Sequence, residues 1–142
     1  MNKLTIVARV LLGLLFTFAG VAGFYVAFNP PPTEPGYAGM FQTAFFGSHF
    51  ALFVDAVQGI TGFFILINRY VPLALVTLAA VIANILVFHS TMAPLGVFPG
   101  FIAAVLWFVV ASSVRGSFAP LLVARVATVH ADVKGVRGTV EA

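Results

Sequence analysis

The sequence predicts an all-α fold: an integral membrane four-helix bundle with a C-terminal interfacial helix. Three observations lead there. Of 142 residues, 61% are hydrophobic and only 8% charged, against roughly 25% charged in an ordinary soluble domain. The apolar residues fall in four blocks separated by short polar breaks, each close to the ~20 residues that cross a bilayer core. The seven Lys and Arg residues stand singly at the ends of those blocks, which is a topological signal and not the basic stripe of a nucleic-acid-binding surface.

The first span is taken as about 5–28. After Lys3 and Arg9 the run from Val10 to Phe28 carries no charge, enough to cross ~30 Å of hydrocarbon at a rise of about 1.5 Å per residue. A signal peptide is the competing reading, with small residues from Gly20 to Gly23 imitating a cleavage site, but the uncharged run outlasts a typical h-region. Next comes Asn29-Pro-Pro-Pro-Thr-Glu-Pro-Gly36. Proline lacks the amide donor and restricts its predecessor, so this is an extended external loop.

A second span is expected over about 45–68, apolar except for Ser48, His49, Asp55, Gln58 and Thr61. Asn68-Arg69-Tyr70 then makes a tight turn into a third span, about 72–90, with Pro72 in its first turn, where a missing donor costs nothing. Residues 90–96 form a loop. The fourth span, about 97–114, again carries a proline, Pro99, near its start. Residues 1–116 are thus one four-span unit. In residues 117–142, Phe118, Leu122, Val126 and Val129 recur at helical spacing while Ser117, Arg125, Thr128 and Asp132 fall on another side, the pattern of an amphipathic interfacial helix ahead of a polar tail.

With four spans, Lys3, Arg9, Arg69, Arg115, Arg125, Lys134 and Arg137 all fall on one side and neither opposite loop carries a Lys or Arg. By the positive-inside rule that side is cytoplasmic and holds both termini. The absence of cysteine excludes disulfides, thiolate ligands, iron–sulfur clusters and covalent haem attachment. Any redox role must use a bound cofactor.

Polar residues inside the spans are the candidate site. Ser48, Ala51, Asp55, Gln58 and Gly62 are three or four apart, so they share one narrow face that must point into the bundle. Thr77, Ala80, Asn84, Phe88 and Thr91 repeat the pattern in the third span, and Gly13, Thr17 and Gly20 in the first. Small residues let backbones approach, and amides bridge helices. Asp55 and Asn84 lie about 21 and 18 Å from the cytoplasmic end by helical rise, which puts them in one layer. A carboxyl at this depth costs roughly 2.5–3.5 kcal/mol to insert and marks a functional position, although a protonated Asp55 bonded to Gln58 or Asn84 would serve equally as interhelical glue. Gln58 and Asn84 read first as glue.

His49 and His89 fall within about 5 Å of the same depth, so they are weak candidates, with Phe88, for a haem or cofactor site. His89 lies about 140° around its helix from Asn84, off the polar seam, and no Cys or Glu-x-x-His spacing supports a metal. The sixteen Phe residues read as packing and lipid-facing groups.

The run Arg9-Val-Leu-Leu-Gly13-Leu-Leu-Phe16-Thr-Phe18-Ala-Gly20, with Gln58-Gly-Ile-Thr-Gly62, Asn68-Arg-Tyr-Val-Pro72-Leu-Ala-Leu75 and Asn84-Ile-Leu-Val-Phe88-His89, resembles the DoxX-like family of small four-helix membrane proteins. The likeness covers most of the chain from Arg9 to the fourth span. It implies a four-helix bundle, and a place beside the family members that are subunits linked to thiosulfate:quinone oxidoreductases or to membrane complexes that defend against oxidative stress. Many relatives carry a Lys after the first-span glycines and a Glu in the second span, where this chain has Phe24 or Tyr25 and Gln58. No proton or ion role carries over to those positions.

Three functions follow as expectations. The first is an accessory subunit of a respiratory or redox-linked assembly in the inner membrane of a bacterial or archaeal cell. It has no chemistry and no cofactor of its own, and its partners are the bilayer, other membrane subunits or further copies of itself. The second is a quinone-interacting subunit, with the ring stacked on Phe63 or Phe88 and bonded by Asp55 and Gln58. The third, a small transporter using Asp55, ranks last because neither inverted repeats nor mid-membrane helix breaks are visible. Seams of small residues in three spans leave little room for a ring, which favours the first.

Overall fold

The structure, a computed structural model, describes residues 2–123. It is all-helical, with no strand among those residues. α1 (Lys3–Phe28) starts where the Asn2 side chain accepts hydrogen bonds from the Thr5 amide (2.9 Å) and hydroxyl (2.8 Å), a side-chain cap for a helix end that has no internal acceptor. It stops at Asn29, just before the prolines. Residues 29–36, the proline strap, form neither helix nor strand and lead into α2 (Tyr37–Gly47) through Gly36 at φ 81°.

α2 and α3 (Phe50–Leu66) meet at 82°, which corrects the single span expected over 45–68. The break falls at Ser48 and His49. His49 takes a left-handed conformation (φ 61°), while Ser48 Oγ accepts from the Phe50 amide at 3.3 Å. A serine side chain competes with the helical ladder in this way, and the preceding Gly47 gives the ladder little support. α3 by itself is about 26 Å long at helical rise, and α2 is set at 82° to it across the break.

Asn68 and Tyr70, both left-handed at φ 59° and 51°, turn the chain into α4 (Val71–Thr91). Pro72 sits in its first turn, as predicted. Pro94–Gly96 forms a 3-10 turn before α5 (Val97–Ser113). α1, α4 and the 94–113 segment are each long and apolar enough to cross a membrane, and the bent α2–α3 pair makes a fourth crossing if the two helices are counted as one broken span. The chain is accordingly a multi-pass membrane protein by length and composition.

Beyond α5 the expected interfacial α-helix is not formed in the described part. Arg115–Leu122 is a 3-10 segment containing Phe118 and Pro120, because a proline there removes a donor that an α-helical ladder would use. The remainder of that expectation, including Val126 and Val129, lies outside the described residues.

The four spans pack as a ring, each touching the next in the order α1, α3, α4, α5 and back to α1. α1 and α3 approach most closely, through glycines. A methyl group on Gly13 would meet the Leu66 amide nitrogen at 2.7 Å, and one on Gly62 would meet the Phe16 carbonyl carbon at 2.7 Å. Gly20 and Gly59 face each other in the same seam. Lipid is as apolar as leucine, so such backbone approach and the dispersion it brings, not hydrophobic exclusion, hold membrane helices together.

The buried core gathers toward one end of the ring. Leu12, Ile65, Leu75, Leu78 and Val110 are fully buried, and they sit near the start of α1, the end of α3, the first half of α4 and the end of α5. Arg9, Arg69 and Arg115 mark the same end. Two polar clamps secure it. Arg9 Nη1 donates to the carbonyls of Ile65 and Leu66 at the end of α3, and Trp107 Nε1 of α5 donates to the Leu75 carbonyl of α4 at 2.8 Å. At the other end the ring opens.

Candidate functional site

The opening is a cavity of about 700 Å³ between α3 and α4, roofed by α2. α3 contributes Phe50, Phe53, Val54, Val57 and Gln58 to its wall; α4 contributes Thr77, Ala80, Val81, Asn84, Ile85, Phe88 and His89. Phe41, Gln42, Phe45 and Phe46 come down from α2, and Pro31 from the strap. The exposure of Phe53 and Asn84 shows that the cavity communicates with the outside of the bundle. Its size falls within the roughly 300–1,000 Å³ of small-molecule sites, and an apolar wall with few polar groups is their usual composition.

Aromatic rings form an arc along one side. Phe41 lies against Phe88 with centroids 5.0 Å apart, Phe41 stacks on Phe45 at 5.5 Å, and Phe45, Phe50 and Phe53 continue it at 5.9 and 5.8 Å. Centroid distances of 4.5–7 Å are those at which ring quadrupoles attract.

Two carboxamides interrupt the apolar wall. Gln58 is about 12 Å from the start of α3 and Asn84 about 10 Å from the end of α4, so they sit at matching depth on opposite walls. Asn84 Nδ2 donates to the Ala80 carbonyl at 3.0 Å, one turn back, which fixes the amide and leaves its oxygen and second hydrogen for a ligand. Gln58 has no side-chain hydrogen-bond partner among the described residues. The Thr77 hydroxyl, deeper in the cavity, is spent on the Leu73 carbonyl at 3.2 Å.

Asp55 is placed elsewhere. It is buried, as its face predicted, but it packs against Gly23 and Gly20 of α1 and does not line the cavity. The candidate polar site of Asp55, Gln58 and Asn84 is therefore divided between two faces of α3, and so is the expected pairing of Asp55 with Gln58 around a ligand. Successive seam positions rotate about 60° around a helix axis over three residues, enough to send Asp55 to α1 and Gln58 to α4. Phe63 likewise lies outside the cavity wall, whereas Phe88 is part of it.

The histidines differ too. His89 lines the outer end of the cavity, its ring packed on Gly96 and its Nδ1 3.0 Å from the Ala93 carbonyl. His49 is exposed at the α2–α3 bend and is not part of the wall. Among the described residues no group of three or more His, Asp or Glu side chains is placed to hold a metal ion.

Sequence reasoning missed the roof. The signal was present: Ala38, Phe41, Gln42 and Phe45 recur at three and four residues between two glycines, a short helix with its own inner face. It also treated Arg9 as a topological charge and gave Trp107 no role. Fold and site together define a small all-α membrane bundle with a lateral ligand-sized cavity. Compared with known protein families, curated proteins and solved structures, the chain shows no significant match.

Proposed function

We propose that this chain is a DoxX-like subunit of a redox-linked membrane assembly that holds a quinone-class ring between α3 and α4 and leaves electron transfer to its partner subunits. The observation that carries the reading is the cavity: about 700 Å³, walled by phenylalanines, with the Gln58 and Asn84 carboxamides at one depth. A carboxamide both donates and accepts. It therefore bonds the carbonyl of a quinone through its NH₂ and the hydroxyl of the corresponding quinol through its oxygen. The ring stacks on Phe41 and Phe88, and an isoprenoid tail leaves through the open flank into lipid.

Apart from His89, the ionisable side chains of the described residues lie off the cavity wall. That arrangement suits holding a ring better than reducing one, and it keeps the accessory role while giving it a ligand. A pure anchor would have no use for so large a void, and a transporter would need its carboxylate on the path, where Asp55 does not lie. Both termini face the cytoplasm of a bacterial or archaeal cell in this reading, since the basic residues among those described, Lys3, Arg9, Arg69 and Arg115, fall at one end of the spans.

The test is to purify the protein from native membranes in mild detergent and measure co-extracted quinone per chain. Near-stoichiometric quinone that drops about tenfold in Gln58→Leu, one lost hydrogen bond of about 1.4 kcal/mol, supports the proposal. Quinone at the level of bulk lipid in the native protein would sink it.

A further inference from the structure

We infer that α2 is a lid over the α3–α4 cavity, pivoting at His49. The inference rests on the ligand reading above and names how that site is controlled. The first observation is how lightly α2 is held. Only Ala38 and Gly39 of its eleven residues are buried, although Phe41, Gln42, Phe45 and Phe46 roof the cavity. Its ring contact with α4 is the Phe41–Phe88 pair, 5.0 Å between centroids.

The second observation is where bending is concentrated. The strap and the lid are tied to each other: Gly39 packs on the Glu34 carbonyl, and the Glu34 amide donates to Gln42 Oε1 at 3.5 Å around the left-handed Gly36. Residues 34–47 therefore move as one piece. On the far side of that piece, His49 alone turns the chain through 82° into α3, and it does so at φ 61°, ψ 12°. A non-glycine residue in the left-handed region is strained, and the strain persists only while surrounding contacts hold it there. Here those contacts are the aromatic latch. Releasing Phe41 from Phe88 lets His49 relax toward an ordinary conformation, lifts α2, and widens the way past Asn84 to the half-buried Gln58 for a ring arriving from the bilayer. A ring seated against Phe41 and Phe88 holds the lid down.

Spin labels report the motion directly, and the cysteine-free chain makes placement simple. Met40 on α2 and Leu73 at the opposite end of α4 are both exposed and both off the cavity wall. With Met40→Cys and Leu73→Cys labelled in lipid nanodiscs, pulsed dipolar spectroscopy should give two distances, and saturating decylubiquinone should collapse them to the closed one. His49→Gly, which removes the left-handed penalty, should raise the closed-to-open ratio about fivefold, and the β-branched His49→Val should lower it by a similar factor. One distance that ignores decylubiquinone and both His49 variants overturns the lid. Two distances that respond to the His49 variants but not to decylubiquinone keep the lid and overturn the quinone reading instead.

Discussion

Arg9 and Ile65 stand 56 positions apart, yet Arg9 Nη1 on α1 donates to the Ile65 carbonyl at 2.6 Å and to that of Leu66 at 3.0 Å, closing the end of α3. The last carbonyls of a helix have no intrahelical partner and carry the negative end of its dipole. A guanidinium from a neighbouring helix answers both needs. Both bonds are partly buried, so losing the guanidinium would leave two helix-end carbonyls short of a partner.

Replacing Arg9 should therefore loosen the α1–α3 pair. Charge-assisted hydrogen bonds contribute about 1.5–3 kcal/mol, so Arg9→Met should lower the thermal midpoint in detergent markedly. Arg9→Lys, a single point donor, should recover part of the loss. Equal stability of Arg9→Met and the native chain would show that the cap contributes nothing.

The glycine seam gives an asymmetric expectation. A methyl group on Gly20 overlaps the backbone of Gly59, whereas one on Gly59 meets the Gly20 Cα at an ordinary 3.7 Å. Gly20→Ala should cost about 1–3 kcal/mol through overpacking, and Gly59→Ala should be tolerated or slightly stabilising, because alanine is the better helix former. Gly47, with nothing near its would-be methyl, is the control. Urea or thermal unfolding of the three variants in one detergent ranks them.

Asp55 and Gln58 should separate in function. Asp55→Asn is close in size, and its side chain sits against α1 glycines off the cavity wall, so the variant should accumulate normally and keep its bound quinone. Asn84→Leu, like Gln58→Leu, should accumulate but lose ligand about tenfold for one hydrogen bond. If Asp55→Asn loses quinone while Asn84→Leu retains it, the polar site is on the α1 side of α3 and the cavity assignment is wrong.

Topology can be checked with impermeant thiol reagents on single-cysteine variants. Thr33→Cys in the strap and Leu95→Cys, 99% exposed between α4 and α5, should label only from outside the cell. Arg69→Cys should label only from inside, since the basic residues mark the cytoplasmic face. Mixed labelling at any one position would overturn the orientation.

The sequence by itself determined the first, third and fourth spans, the proline strap, the Asn68–Tyr70 turn and the glycine seam of α1. Each is a local property: an apolar run stays apolar whatever surrounds it, and proline denies a donor in any context. Only the tertiary structure decided which neighbour each polar side chain meets. Asp55 and Gln58 share a seam in one dimension, but a helix wedged between α1 and α4 has two inner flanks, and the rotation of about 60° between these residues sends one to each. The bend at His49 was equally hidden, because Gly47-Ser48-His49 sits inside an otherwise apolar run, and nothing local in that run announces that α2 turns aside to meet α4 through Phe41 and Phe88. The cavity is the product of both, since it exists where α2 turns aside and where Gln58, not Asp55, faces α4.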